Sequence, residues 1–324
     1  MPTLPLDVIE QDFMHFLEKI HPIHSPSPLQ RLESRFFPGI QLWVKRDDLL
    51  HPDVSGNKFR KLKYPLLALQ ANTPTLVTMG GAWSNHLHAT AHAAKLMGFP
   101  AIGLVRGHEA QTMTPTLLDC QSLGMHIRWV SREAYRDLRA VPDAWRAHIG
   151  ELGEVSGQHV WLPEGGSAPQ ALHGVAELVD ELAAQLPFIP DTLVLACGTG
   201  ATLAGLLAGM RGRGRVLGVA AIKNASYLHA EIARLLQQAG YPAQQNYELL
   251  SDFHQGGYGK APPPLQQFCR DFLTETGIPL EPVYTGKMFY ALHQLALAGK
   301  FRDGERVVAI HTGGLQGARG FDHG

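Results

Sequence analysis

Cysteine is scarce. Cys120, Cys197 and Cys269 are the only three, odd in number and far apart. That excludes a disulfide framework and reads as reduced thiols in a cytoplasmic protein. Neither sign of charge dominates: 28 Lys and Arg stand against 29 Asp and Glu, a net charge of -1 with the histidines neutral. Nucleic acid and anionic membrane are therefore excluded as the main partner. Long apolar runs are missing too. The least charged stretch, Thr192 to Met210, is broken by glycines at 198, 200, 205 and 209, so it reads as strand, turn and helix and not as a membrane span. The N-terminus has no basic start, and Asp7, Glu10 and Asp12 interrupt its apolar residues, which excludes a signal peptide. No internal repeat is visible, and low complexity is confined to Pro262-Pro263-Pro264.

What is present is an alternation of strands and helices over 324 residues, enough for two domains or one large α/β unit. The spacing predicts a helix over residues 6 to 21, a proline-rich loop to Leu29 and a strand over 41 to 46. Strands follow at 76–79, 101–105, 126–130, 160–162, 192–196, 216–221 and 307–310. Helices are expected from about 58 to 71, 86 to 96, 114 to 123, 169 to 185, 203 to 210 and 226 to 239, with a polar helical stretch over 131 to 150. Such alternation predicts parallel sheets covered on both faces.

The stretch Ser55-Gly56-Asn57-Lys58-Phe59-Arg60-Lys61-Leu62 puts a small flexible pair and an amide directly before a lysine. Ser55 and Asn57 can cap a helix, and Gly56 permits close backbone approach. Lys58 then sits at a helix start, where a cation opposes the helix dipole. A surface lysine gains nothing there, whereas an amine that must lose its charge does. A solvated basic helix start explains the same residues.

Two loops follow strands and open helices. Gly80-Gly81-Ala82-Trp83-Ser84-Asn85-His86 offers a hydroxyl and an amide at a helix N-terminus, where unpartnered N–H groups bind anions. An ordinary N-cap would explain either residue singly. Cys197-Gly198-Thr199-Gly200-Ala201-Thr202 is the stronger anion site, with two glycines, two threonines and a helix behind them. No Gly-Lys-Ser/Thr follows, so it is not a Walker loop, and the third glycine of a dinucleotide fingerprint is absent. It suits a single phosphate. His86, His88 and His92 do not make a metal site in this reading: 88 and 92 share a helix face, 86 does not, and no Glu follows His88. Tyr258, in Gly256-Gly257-Tyr258-Gly259, and Tyr284, at the end of a short extended run over 282–287, each stand in a loop beside glycine.

A lysine, a monophosphate cradle and polar strand-end loops without a metal cluster are what pyridoxal 5'-phosphate requires. From about Trp43 to Gly314 the chain resembles the pyridoxal-phosphate enzymes that include D-cysteine desulfhydrase and 1-aminocyclopropane-1-carboxylate (ACC) deaminase, of fold type II, the tryptophan synthase β-like type. The resemblance rests on the lysine motif, Ser84-Asn85-His86, Pro163-Glu164-Gly165-Gly166-Ser167, the glycine–threonine loop, both tyrosines and His311-Thr312-Gly313-Gly314. It implies two α/β domains with the cofactor in the cleft between them, a homodimer and a small amino-acid substrate. Residues 1–57 and 169–324 would form the large domain and 58–168 the small one.

Under that resemblance Lys58 looks like the Schiff-base lysine, and Asn85 and Tyr284 flank the cofactor ring. Residues 197 to 202 cradle the phosphate, and Thr312 also belongs to the cofactor site. Ser84, with Asn85, His86 and Trp83, faces the substrate; Ser84, Tyr258 and Tyr284 join Lys58 as catalytic residues. In the deaminase branch Glu stands where Thr285 is here, Leu where Thr312 is and Gln where His86 is, so all three positions resemble the desulfhydrase branch. Trp83 and Leu87-His88 depart from the family's usual residues.

Overall fold

The computed structural model describes residues 24–69, 74–108, 112–150 and 158–321. The helix expected over residues 6 to 21 lies outside the described residues. In chain order the strands are β1 (Leu29–Leu32), β2 (Ile40–Lys45), β3 (Thr75–Gly80), β4 (Ala101–Arg106), β5 (Met125–Val130), β6 (His159–Leu162), β7 (Thr192–Cys197), β8 (Arg215–Ala220), β9 (Tyr247–Leu250) and β10 (Glu305–Ile310). The α-helices are α1 (Asn57–Leu67), α2 (Asn85–Met97), α3 (Pro115–Ser122), α4 (Arg132–Ala140), α5 (Ala171–Gln185), α6 (Ala201–Met210), α7 (Leu228–Gln238), α8 (Pro263–Thr276) and α9 (Thr285–Leu297).

Two compact units emerge, one from His51–Val54 and Lys58–Ala171, the other from His24–Leu50, Ser55–Asn57 and Leu172 onward. The first holds a parallel sheet in the order β5-β4-β3-β6. Its core gathers Val77, Met79, Ile102 and Leu104 with Tyr135 and Trp145. The second holds a sheet in the order β1-β2-β10-β7-β8-β9, parallel except for β1, which runs antiparallel along β2.

The second sheet explains why β7 after Thr192 and β10 after Arg306 carry only apolar residues. Side chains alternate across a strand. Leu193, Leu195 and Cys197 therefore enter one core with Val308, Ile310 and the residues of α5, α6 and α7. Val194 and Ala196 enter the opposite core with Val307, Ala309 and the Phe268, Phe272 and Phe289 rings of α8 and α9. A strand buried on both faces cannot show polar alternation.

Several expectations need correction. The stretch over 131 to 150 is not one helix: α4 ends at Ala140, Val141 is extended (φ -109, ψ 119) and a 3-10 turn occupies Ala144–His148. Pro142 follows Val141 and disfavours helical geometry there. Residues 282–287 are not an extended run. Pro282 to Tyr284 form a turn, and α9 begins at Thr285. The triple proline is a helix start and not merely biased sequence: Pro262 precedes α8, whose first turn carries Pro263 and Pro264.

Candidate functional site

In the second unit, the C-terminal ends of β7 and β10 bring four of the sequence motifs together. Asn57 is the joint. Its backbone N–H donates to the Thr312 carbonyl at 3.2 Å, and its side-chain amide donates to the Thr202 hydroxyl at 3.0 Å. Gly56 makes this possible: its φ is +62, and a Cβ there would collide with the Thr312 carbonyl. Residues 55–57 thus lie backbone to backbone on the turn after β10. That turn is held by His311. Its Nε2 reaches the Pro279 carbonyl at 2.7 Å, and a carbonyl only accepts, so Nε2 carries the proton and Nδ1 accepts the Gly313 N–H at 3.3 Å. Burial lowers the His311 pKa, against the opposing charge of Asp48, whose Oδ1 lies 3.3 Å from Nδ1.

The glycine–threonine loop leaves β7 at buried Cys197, turns through half-buried Gly198 and Thr199, and enters α6 at Ala201. Gly200, with φ 87, stands at the N-cap, and no side chain caps the helix. The start of α9 is different. There the Glu281 carboxylate accepts the N–H groups of Val283, Tyr284 and Thr285 at 2.6–2.7 Å. The α9 terminus is therefore filled by the chain's own carboxyl group, whose pKa burial raises to about 7 against these N–H bonds, whereas no carboxyl group of the described residues caps the α6 terminus. Thr202 accepts from Asn57 and keeps its hydroxyl proton for another acceptor. Tyr284 lies against the loop: a Cβ at Gly198 would come within 3.1 Å of Tyr284 Cε1. The exposed Tyr258 ring meets Tyr284 edge-on, with centroids 6.1 Å apart and an interplanar angle of 67°.

In the first unit, Ser84 is the N-cap of α2. Its Oγ accepts the N–H groups of His86 and Leu87 at 3.2 Å each. Capping uses its lone pairs and leaves its proton to donate. Asn85 opens the helix, half-buried, and Trp83 precedes the cap, also half-buried. The loop is pinned by Thr114, the N-cap of α3, whose hydroxyl donates to the Ala82 carbonyl.

His86 is buried, and its tautomer follows from its neighbours. The Thr78 hydroxyl donates to the Leu162 carbonyl at 2.8 Å, so at 2.9 Å it accepts from His86 Nε2. Nδ1 is then an acceptor, and among the described residues nothing bonds to it. Burial, then the charges of Lys58 and Lys61, hold this imidazole well below its ordinary pKa. Lys58 itself is half-buried at the second position of α1. Lys61, one turn on, donates to the Gly165 carbonyl at 3.0 Å and ties the Pro163–Ser167 turn to α1.

The loop over 198–202 fits one phosphate: glycines, two hydroxyls and a helix terminus without a side-chain cap. Tyr284 lies beside Gly198, with its Cε1, Cζ and phenol oxygen against the start of the loop. A family model described as "Pyridoxal-phosphate dependent enzyme" matches residues 20–313. The chain belongs to this pyridoxal-phosphate-dependent family. Its sheets and helices are those of fold type II, and its cofactor is pyridoxal phosphate.

Relatives within the family carry two names. The chain is 34% identical over 288 residues to a protein of Pyrococcus horikoshii provisionally named 1-aminocyclopropane-1-carboxylate deaminase, with 86% of each chain covered. It is 30% identical over 314 residues to the mitochondrial bifunctional D-cysteine desulfhydrase/1-aminocyclopropane-1-carboxylate deaminase of Arabidopsis thaliana, covering 91% of this chain and 77% of that one. A solved structure of an ACC deaminase homologue superposes with a TM-score of 0.77 at 31% identity, over 94% of this chain and 96% of the other.

Sequence reasoning reads Asn57 only as a helix cap, whereas its amide bonds Thr202, and it gives no role to Glu281 or Lys287. The signal for Asn57 was its place between Gly56 and Lys58. Glu281 and Lys287 carried none, because burial of a charge is not visible in a sequence.

Proposed function

We propose that this chain is a pyridoxal-phosphate-dependent lyase that converts D-cysteine, or a related β-substituted D-amino acid, and water to pyruvate, ammonia and hydrogen sulfide. The observation that carries the choice is the residue after Tyr284. Thr285 stands there, wholly buried, its hydroxyl taken up with Glu281. A carboxylate at that position would keep the pyridine nitrogen protonated and make the ring a stronger electron sink. Expelling carbon from a strained ring needs that sink. Expelling sulfur, a good leaving group, does not, and Thr312 offers a hydroxyl instead.

Bound, pyridoxal phosphate supplies the electron sink that makes the substrate's α C–H bond labile. The residues divide the rest. Lys58 anchors the cofactor and takes the α-proton at Nζ. Ser84 donates its remaining proton to the substrate carboxylate, and Asn85 adds its amide. Residues 197–202 hold the phosphate. The phenol of Tyr258 or Tyr284 assists proton transfer to the departing sulfur. In the same reading residues 58–168 form the smaller domain of a cytoplasmic homodimer.

A second reading, ACC plus water giving 2-oxobutyrate and ammonia, is favoured by the name of the archaeal relative, while the plant relative's name carries both activities. Purified protein incubated separately with D-cysteine, L-cysteine and ACC decides. Pyruvate and sulfide from D-cysteine are expected. 2-Oxobutyrate from ACC without pyruvate from D-cysteine would overturn the first reading.

A further inference from the structure

A buried lysine and a buried glutamate stand on either side of the α9 start, and neither has a role in the scheme above. Lys287 is fully buried in the third position of α9. Its ammonium donates to the Ala221 carbonyl at 3.1 Å and the Gly257 carbonyl at 2.8 Å. Among the described residues no carboxylate comes within salt-bridge distance of it. Burying an ammonium on two carbonyls is costly where an apolar residue of like size would fill the space. Burial draws its pKa down to about 8, with Glu281 opposing.

What Lys287 touches gives the cost a purpose. Gly257 immediately precedes Tyr258, so the 2.8 Å bond fixes the backbone from which that ring projects. Ala221 immediately follows β8, and its own N–H donates to the Cys197 carbonyl at 3.0 Å, one residue before the glycine–threonine loop. Glu281 works from the other side. It accepts the Tyr284 N–H at 2.7 Å and the Thr285 N–H at 2.6 Å, while its own carbonyl accepts the Gly286 N–H at 2.8 Å. Gly286 leaves no slack, since a Cβ there would lie 2.7 Å from Cys269 Sγ and 2.9 Å from the Glu281 carbonyl.

We propose that Glu281 and Lys287 are positioning residues for the reaction: Glu281 sets Tyr284, Lys287 sets Tyr258, and together they fix the edge-on pair of phenols. The proposal rests on the reading that these tyrosines serve the active site. A cap and a buried cation that merely held α9 together would alter melting and leave the two rings where they are.

The test uses holoenzyme labelled with 3-fluorotyrosine, its resonances assigned with Tyr258→Phe and Tyr284→Phe. In Lys287→Met the Tyr258 resonance is expected to shift or broaden. In Glu281→Gln the Tyr284 resonance is expected to do so, with the tyrosines outside the Tyr258–Tyr284 pair unmoved. Turnover number for keto-acid formation should fall at least tenfold in both, with KM changed less than threefold. Lys287→Gln, which keeps one donor for Gly257, should recover part of the turnover, and it carries the test if the Met variant does not fold. Folded variants with both resonances unmoved, or with turnover retained while the rings move, overturn the proposal. If Tyr258→Phe and Tyr284→Phe both turn over normally, the active-site reading of the tyrosines fails, and the resonances still report whether Glu281 and Lys287 hold them.

Discussion

Asn57 donates its side-chain amide to the Thr202 hydroxyl at 3.0 Å and joins the residue before Lys58 to the loop that fits a phosphate. Losing the bond leaves Thr202 free to rotate its proton away from the anion. A neutral hydrogen bond contributes about 1 kcal/mol net, so Asn57→Ala should weaken pyridoxal phosphate binding about fivefold to tenfold. Titration of apoprotein by absorbance measures this. Thr202→Val should cost at least as much, and the double variant less than the sum of the two. Additive losses would mean that Asn57 acts elsewhere.

Gly56 allows that joint to form. Gly56→Ala places a Cβ against backbone and strains a residue whose φ is +62. Stability should fall by about 3 kcal/mol or more, read from the urea midpoint. Gly299→Ala is the control. Its φ is +62 as well, with nothing within 4 Å of a Cβ, and conformational strain alone costs about 1–2 kcal/mol. Equal losses at the two positions would refute the argument from close approach.

Much of this was legible before folding, and the physical reason differs from residue to residue. The glycine–threonine loop could be read because strand, glycines and helix are contiguous in sequence, so local rules suffice. Position 284 reads from the sequence as the end of an extended run, whereas it is the N-cap of a helix that takes in Gly286. The helix behind it starts on Glu281, whose capping bonds run over two to four residues. A carboxylate ahead of a proline looks like any polar turn. Lys287 was invisible for another reason: its partners at 221 and 257 are fixed by the sheet and not by sequence spacing. The break at Val141 is signalled by Pro142 beside it, which overrides the helical composition of the stretch.

His86 should make stability depend on pH. Its folded pKa is lowered from the ordinary 6.5, so as pH falls below about 6.5 the unfolded chain takes up a proton before the folded one does. The unfolded state then binds more protons, and stability drops with falling pH. His311, also lowered, adds to the same slope. Replacing His86 with Gln should flatten the dependence between pH 6.5 and 5 by up to one proton, as shown by urea unfolding at each pH. An unchanged slope would mean that His86 is protonated in the fold.

Lys58→Ala should abolish covalent capture. Borohydride treatment of the wild-type holoenzyme is expected to fix the cofactor's mass to the peptide holding Lys58, and to no peptide in the variant. Keto-acid formation from D-cysteine should fall by about three orders of magnitude or more, the scale of losing both anchor and base. Normal turnover by the variant with cofactor bound would remove Lys58 from the mechanism.

Trp83 bears on substrate choice. It is half-buried directly before the Ser84 cap, in a loop that Thr114 pins through the Ala82 carbonyl. If Ser84 meets the substrate as proposed, a large ring so held would limit the room beside the bound amino acid. Pocket bulk discriminates by about 1–3 kcal/mol per methylene-sized group. Trp83→Gln should therefore raise kcat/KM for a bulkier substrate, such as an S-alkyl-D-cysteine, about tenfold or more, and change D-cysteine itself less than threefold. Thr114→Val, which frees the loop without removing the ring, should shift both substrates alike. If Trp83→Gln lowers both equally, the ring supports the loop and does not select the substrate.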